Sequence, residues 1–210
     1  TGYLRTLLDF AEPYHPPRWT LSHNGTPFAN RGELHIVTGK SGHGKTAFMS
    51  QVMATLLCGK FGNMQYEGEP PNMPVVLYID TEQGKDDTIA IKNRVLTLTG
   101  DPISKPHDRF KIVRLRDTED AAERWRQILK VIYEVKQLWK ELPTVVFLDG
   151  MLDIVNDYND QVECQPIIRK CMMLATYYDA SLWAVLHENP MVDKLVGVRG
   201  SITQRKVSEI

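Results

Sequence analysis

Residues 34–46 read LHIVTGKSGHGKT, a short aliphatic strand pattern followed directly by a glycine-rich loop. The loop satisfies the pattern GxxxxGK[ST] in full, with Gly39, Lys40, Ser41, Gly42, His43, Gly44, Lys45 and Thr46. A helical pattern containing Phe48, Val52 and Leu56 follows it. Strand, loop and helix in this order are the context in which the motif binds phosphate. We therefore predict a phosphate-binding loop at residues 39–46.

The residue types of this loop explain its expected chemistry. Glycines let the backbone curl so that successive N–H groups point inward at phosphate oxygens. The helix that follows adds unpaired N–H donors and the positive end of its dipole. We expect Lys45 to reach the β- and γ-phosphates and the Thr46 hydroxyl to ligate a metal ion. The predicted ligands are a nucleoside triphosphate and Mg²⁺.

The rest of the chain alternates between strand and helix patterns. Five short aliphatic strands are predicted, at residues 33–38, 75–80, 110–115, 145–149 and 182–187. The clearest helix is predicted over 118–142, with Asp117 or Thr118 capping its start and Pro143 ending it. This alternation favours right-handed crossovers. It predicts an α/β fold of three layers, in which helices flank a mainly parallel central sheet.

The 210 residues suffice for one substantial core. Residues 1–32 are predicted to form an irregular lead-in that packs on this core, with a small hairpin around the turn at 24–27. Residues 33–210 are predicted to form the core itself, incomplete at its C-terminal end. Gly, Pro and Asn mark two surface loops, at 61–73 and 100–108.

Composition limits the partners. The formal net charge of -1 excludes a global positive field, so a nucleic acid would need a local basic patch. The apolar runs are too short to span a bilayer, which argues against a membrane partner. The start shows no signal-peptide pattern, and the three cysteines lack metal-ligand spacing. Together these features favour a cytoplasmic protein.

Asp149 ends the aliphatic strand pattern VVFLD at residues 145–149. In an open parallel sheet, ligands bind at the carboxyl ends of the strands, so Asp149 is expected to face the same opening as the phosphate loop. A carboxylate there is suited to hold Mg²⁺ opposite Thr46. An acid that merely terminates a strand is the alternative.

Glu82 lies two residues beyond another strand pattern, in the string YIDTEQG at residues 78–84. A carboxylate just past a strand end can orient a water molecule in line with the γ-phosphate and deprotonate it. A kinase would use this region to position its acceptor instead. Glu82 can equally be a solvated loop acid.

The order of these motifs resembles the RecA-like ATPase superfamily: phosphate loop, strand with Asp80-Thr81-Glu82, then the strand of Asp149. The resemblance implies ATP hydrolysis, with Glu82 as the catalytic glutamate. The strand at 182–187 is similar to the next strand of that family, whose polar end senses the γ-phosphate. His187 is the matching residue. A histidine bonded to a loop remains the alternative.

The strings TLSHNGTP at 20–27, RGEL at 31–34 and RGS at 199–201 resemble hexameric helicases of the RepA and DnaB kind. Related ATPases are carried by bacterial plasmids and mobile elements. The resemblance implies a homo-oligomeric, hexameric ring acting on single-stranded DNA in replication, recombination or mobilisation. In such a ring Arg199, backed by Arg205 and Lys206, would complete the site of a neighbouring subunit. A flexible surface arginine is the alternative.

Two other functions stay open. Residues 151–160 are acidic and 190–199 hold few basic side chains, so DNA binding would be weak in each subunit. A nucleotide-switched regulator or loader acting on a protein partner fits this charge. A small-molecule kinase would need an arginine-rich lid, and the sequence has no arginine cluster of that kind.

Overall fold

A computed structural model of the chain describes residues 13–40, 42–68, 72–140, 142–155, 161–189 and 194–195, the side chains of 161–165, 187–189 and 194–195 excepted. Its strands are β1 (Trp19–His23), β2 (Thr26–Asn30), β3 (Leu34–Gly39), β4 (Lys60–Phe61), β5 (Met64–Tyr66), β6 (Val75–Asp80), β7 (Phe110–Arg114), β8 (Thr144–Asp149), β9 (Ser181–Asn189) and β10 (Lys194–Leu195). Its helices are α1 (Lys45–Cys58), α2 (Lys85–Thr99), α3 (Ala121–Leu138) and α4 (Gln161–Tyr178), with a short 3₁₀ helix at Met151–Ile154.

The central sheet has the strand order β3-β9-β8-β6-β7, and every neighbouring pair in it is parallel. The five predicted strands are confirmed, with ends shifted by at most two residues. The short strand β10 pairs antiparallel with the end of β9. Because the phosphate-loop strand β3 and the strand of Asp149 both pair with β9, their carboxyl ends flank the end of β9.

Two apolar cores sandwich this sheet. Alternate strand residues point to opposite faces, and one set packs against α3 and α4. The other set packs against α1, α2 and a small sheet of order β2-β1-β5-β4. The α/β fold of three layers is thus confirmed. In the described part of the chain, no helix is long and apolar enough to cross a membrane.

The small sheet confirms one prediction and corrects another. β1 and β2 form the expected hairpin, whose turn residues Asn24 and Gly25 have φ of 51° and 78°. The predicted loop over 61–73 is wrong in its first part, where β4 and β5 form a second hairpin. β5 is only three residues long, too short for its alternating burial to stand out in the sequence. In the described part of 100–108, the structure has turns and no helix or strand, as predicted.

The helix predicted over 118–142 is shorter at both ends. It begins after Asp120, whose carboxylate accepts a hydrogen bond from the Glu123 N–H at 2.6 Å. Asp120 is therefore the cap, and the prediction of Asp117 or Thr118 was wrong. The helix ends at Leu138, because the backbone of Trp139 has already left helical geometry (φ -125°, ψ 53°). Pro143 therefore does not set the end.

Candidate active site

The phosphate loop lies between the end of β3 and the start of α1. Gly39, Gly42 and Gly44 have φ of 154°, 78° and 80°, values that glycine adopts at little cost and other residues do not. The aliphatic stem of Lys45 packs against Gly39: a Cβ added there would lie 3.7 Å from its Cγ. Three glycines of the loop therefore occupy backbone positions that favour glycine, and Lys45 packs against the first of them.

The N-terminus of α1 differs from those of α2 and α3. Gly44 caps it without a side-chain hydrogen bond, and its first turn contains no acidic residue. By contrast, Asp120 caps α3, and the first turn of α2 carries Asp86 and Asp87. The first N–H groups of α1 and its dipole thus meet no carboxylate of their own helix, an arrangement that fits a phosphate group.

Lys45 holds its positive charge at the base of the loop. Its side chain is buried, and its Nζ donates to the carbonyl oxygens of Gly39 at 2.7 Å and Lys40 at 2.9 Å. An ammonium group has three N–H donors, so a third remains for a phosphate oxygen. Thr46, half-buried in the first turn of α1, lies beside it.

The predicted metal ligand Asp149 is buried at the end of β8, with 4% of its surface exposed. Its Oδ2 accepts a hydrogen bond of 2.7 Å from the hydroxyl of Tyr78, which lies on the neighbouring strand β6 and is 1% exposed. Burial raises the pKa of Tyr78 far above its usual range, and the charge of Asp149 raises it further. The phenol therefore stays neutral and serves as a fixed donor to Asp149.

Asp80 builds the turn that carries Glu82. Asp80 is fully buried and pairs in register with Asp149. Its Oδ1 accepts from the N–H groups of Glu82 at 3.1 Å and Gln83 at 2.8 Å. Its Oδ2 accepts from the hydroxyl of Thr88 at 2.5 Å. This Asx-type arrangement fixes the turn after β6 and leaves Glu82 exposed on it.

Thr81 joins that turn to the end of β8. Its N–H donates to the Asp149 carbonyl at 3.0 Å, and its hydroxyl lies 2.9 Å from the carbonyl oxygens of Asp149 and Gly150 and from the carboxylate of Asp153. A Cβ added to Gly150 would lie 3.3 Å from the Cβ of Glu82. The structure therefore brings Glu82 beside the strand end that carries Asp149.

A comparison with protein families now adds to this geometry. A family model described as AAA domain matches residues 5–190, most of the chain. This chain belongs to the AAA domain family. This AAA domain is accordingly a nucleotide-binding ATPase domain of the P-loop class. A comparison with curated proteins found no match.

The described part of this AAA domain contains few grouped side chains that could bind a divalent cation. Among the described residues there is no group of three or more His, Cys, Asp and Glu side chains that could hold a metal. Mg²⁺ is commonly held by one or two protein oxygens, substrate phosphates and waters. The Asp149 carboxylate and the Thr46 hydroxyl fit this role.

Several functional predictions lie at or beyond the limits of the described residues. The backbone of His187 pairs with Gly39, so its position at the end of β9 adjoins the phosphate loop of the AAA domain. Its side chain lies outside the described residues. Ser41, Arg199, Arg205 and Lys206 also lie outside them, and the family match ends before Arg199.

Sequence reasoning missed the residues that support Asp149 and Glu82 in this AAA domain. Tyr78 carried a signal: it is the one hydroxyl in an otherwise aliphatic strand, and it precedes Asp80 by two residues, which places both on one face. Thr81 and Asp153 carried none. Burial raises the pKa of Asp153, and the charge of Glu82 raises it further, so these two acids also interact.

Proposed function

We propose that this AAA domain hydrolyses ATP with Glu82 as general base and with Mg²⁺ held by Thr46 and Asp149. One observation carries the proposal: Thr81 fastens the turn of Glu82 to the strand end of Asp149. The phosphate loop follows the carboxyl end of β3, and the strands of this sheet are parallel, so it lies at the same end of the strands as Glu82 and Asp149. The three elements that hydrolysis requires thus share the side of the sheet where ligands of open α/β folds bind.

Each residue has a role that follows from its position. The N–H groups at the start of α1 and the ammonium of Lys45 bind phosphate oxygens and neutralise their charge. Glu82, exposed on its turn, accepts a proton from the water that attacks the γ-phosphorus. A metal ion held by Thr46 and Asp149 would neutralise negative charge on the phosphates. The bond from the γ-phosphorus to the bridging oxygen breaks, and ADP and phosphate leave.

We further propose that His187 senses the γ-phosphate and that Arg199 completes the site of a neighbouring subunit in a ring. The backbone pairing of His187 with Gly39 supports the first role, since it sets this position next to the phosphate loop. The role of Arg199 rests on the resemblance to RepA- and DnaB-type rings. A cation supplied by a neighbour would make hydrolysis depend on assembly.

The proposed substrate of the ring is single-stranded DNA, in replication, recombination or mobilisation of a bacterial element. Action on a protein partner, as a nucleotide-switched loader or regulator, is the second candidate. The charge of the chain favours this second candidate: the net charge is -1, and the segment after Asp149 contains Asp153, Asp157 and Asp160. Phosphate backbones call for clustered Lys and Arg side chains.

A steady-state ATPase assay with and without single-stranded DNA tests these proposals. We expect Lys45→Ala to lose nucleotide binding, because the loop loses its buried cation. We expect Glu82→Gln to bind ATP but to lower kcat by about 10²–10⁴-fold, the usual contribution of a general base. Asp86→Asn is the matched control, since Asp86 is another exposed acid of the same segment and should leave kcat unchanged.

The outcomes separate the parts of the proposal. Normal hydrolysis by Glu82→Gln would show that Glu82 is not the base. Stimulation of wild-type hydrolysis by single-stranded DNA would support the motor. If DNA does not change the hydrolysis rate and ATP promotes assembly, the results would refute the DNA motor and support the nucleotide-switched regulator.

A further inference from the structure

A groove runs along β7, which lies at the opposite end of the strand order from β3. β7 is the last strand on this side of the described sheet. The groove has a volume of about 650 Å³ and lies between two walls. One wall is formed by α2 and the segment 103–107, and the other by residues 131–139 at the end of α3. Neither wall includes a residue of the candidate active site.

The floor of the groove is a free strand edge. The Val76 N–H donates to the Arg109 carbonyl, and the Leu115 N–H donates to the Asp80 carbonyl, so the odd-numbered residues of this segment bond to β6. In a parallel pair, alternate residues direct both backbone groups to the same side. The N–H and C=O groups of Ile112 therefore point away from β6, into the groove.

The walls expose apolar side chains. Leu138 is 72% exposed and Ile103 is 49% exposed, one on each wall. Phe110 and Trp139 also line the groove. Exposed apolar surface next to an unpaired strand edge is the arrangement that binds an added strand, whose backbone pairs with the edge and whose alternate side chains enter pockets.

The charge of the walls is mainly positive. Three lysines, Lys92, Lys105 and Lys111, line the groove against one acid, Glu134. Burial lowers the pKa of His107, so this ring adds no charge at neutral pH. A lysine on an edge strand can also serve to block pairing. Here, however, the ammonium of Lys111 folds over the Trp139 ring, 4.9 Å from its centre, and donates to the His107 carbonyl. It stabilises the wall and leaves the backbone edge of Ile112 uncovered.

We propose that this groove binds an extended acidic segment of a partner protein, which joins the sheet as a strand beside β7. The free edge selects an extended backbone, the apolar walls select alternate aliphatic or aromatic side chains, and the lysines select carboxylates between them. The groove lies beside β7, whereas the phosphate loop follows β3 at the other end of the strand order. A partner bound in the groove would therefore not block nucleotide binding.

The first test uses synthetic peptides about eight residues long, enough to cover an ordinary strand. Three sets share leucine, isoleucine and phenylalanine at alternate positions and carry acidic residues, serine or lysine between them. Binding to the whole chain is measured by fluorescence anisotropy. The acidic set should bind at least about tenfold tighter than the lysine set at low salt, and this preference should shrink as salt is added.

The second test changes the strand edge. Ile112→Pro removes an N–H that faces the groove, and proline is tolerated on an edge strand where its N–H would face outward. Ile112→Ala is the matched control, because it also shortens the side chain but keeps the N–H. Acidic peptides should bind about tenfold more weakly to the proline variant than to the alanine variant. ATP binding by both variants shows that each is folded.

The third test changes charge and does not depend on the proline variant. Lys92→Glu with Lys105→Glu should weaken binding of the acidic peptides at least about tenfold. Lys60→Glu with Lys170→Glu makes the same charge change at exposed lysines outside the groove and should have little effect. Equal effects of the two pairs would overturn the role of the groove.

Three other results would also overturn the proposal. One is the absence of binding by any peptide set. Another is equal affinity for acidic and lysine peptides. The third is self-association of the wild-type chain that Ile112→Pro abolishes in sedimentation experiments, since the groove would then hold a second copy of the chain.

Discussion

Tyr78→Phe removes a single oxygen from the candidate active site. The phenylalanine ring fills the same space in the strand, so no cavity forms. What is lost is the hydrogen bond of 2.7 Å to Asp149, between a phenol that is 1% exposed and a carboxylate that is 4% exposed. The substitution therefore tests one buried contact.

The expected cost follows from the kind of bond. A hydrogen bond to a charged group contributes about 1.5–3 kcal/mol net, and water has little access to replace this one. We expect the free energy of unfolding to fall by about 2 kcal/mol. For a chain of this length, each kcal/mol lowers the melting temperature by about 2–4 °C, so the expected decrease is about 4–8 °C.

Thermal unfolding followed by circular dichroism measures this decrease. Tyr66→Phe is the matched control: Tyr66 is also buried, but its hydroxyl donates to the neutral carbonyl of Asn72 at 3.0 Å. Its loss should cost about 1 kcal/mol. If Asp149 holds Mg²⁺, Tyr78→Phe should also raise the Mg²⁺ concentration needed for half-maximal ATPase activity, and Tyr66→Phe should not.

The reasoning would be refuted by a melting temperature of Tyr78→Phe within about 1 °C of the wild type. Asp149 would then not depend on this donor. Equal decreases in the two variants, with equal Mg²⁺ requirements, would reduce Tyr78 to an ordinary buried tyrosine.

Three further predictions concern the fold around the site. Gly150→Ala should lower the free energy of unfolding, measured by urea titration, by about 1–3 kcal/mol. The reasons are the φ of 93° at this position and the clash of the new methyl group with the Thr81 hydroxyl. An unchanged free energy of unfolding would contradict this prediction. Burial lowers the pKa of His35 below the ordinary histidine value of about 6.5. The wild type should therefore lose stability as pH falls below about 6.5, and His35→Gln should lose less between about pH 7.5 and 5. Parallel pH profiles of stability would exclude His35 as the cause. Asp80→Ala leaves two backbone N–H groups and the Thr88 hydroxyl without their acceptor. It should therefore lower both the free energy of unfolding and kcat. ATPase activity at the wild-type level would show that the turn of Glu82 forms without Asp80.

The sequence predicted the parts of the fold that depend on local pattern. β6 and β8 are buried on both faces, so their aliphatic runs stood out and their ends were placed within one residue. The start of α3 was missed because Asp117, Thr118 and Asp120 are all acceptable caps by residue type. Only the structure shows which carboxylate meets an N–H of the first turn.

The candidate site also has one part that the sequence predicts and another that only the structure shows. The phosphate loop is one continuous motif, so its residues could be named from the sequence alone. Thr81 and Asp149 are far apart in the sequence but adjacent in space, and their contact depends on the pairing of β6 with β8. No periodicity encodes that pairing, so Thr81 could not be identified from the sequence as the residue that joins the turn of Glu82 to Asp149.

The bridge formed by Thr81 bears on how this site can move. It ties the turn after β6 to the end of β8, so Glu82 and Asp149 form one stiff half of the site. The phosphate loop belongs to the other half, because β9 separates its strand β3 from β8. A force that tilts β9 would therefore change the distance from the phosphates to both acids at once, while the two acids keep their spacing.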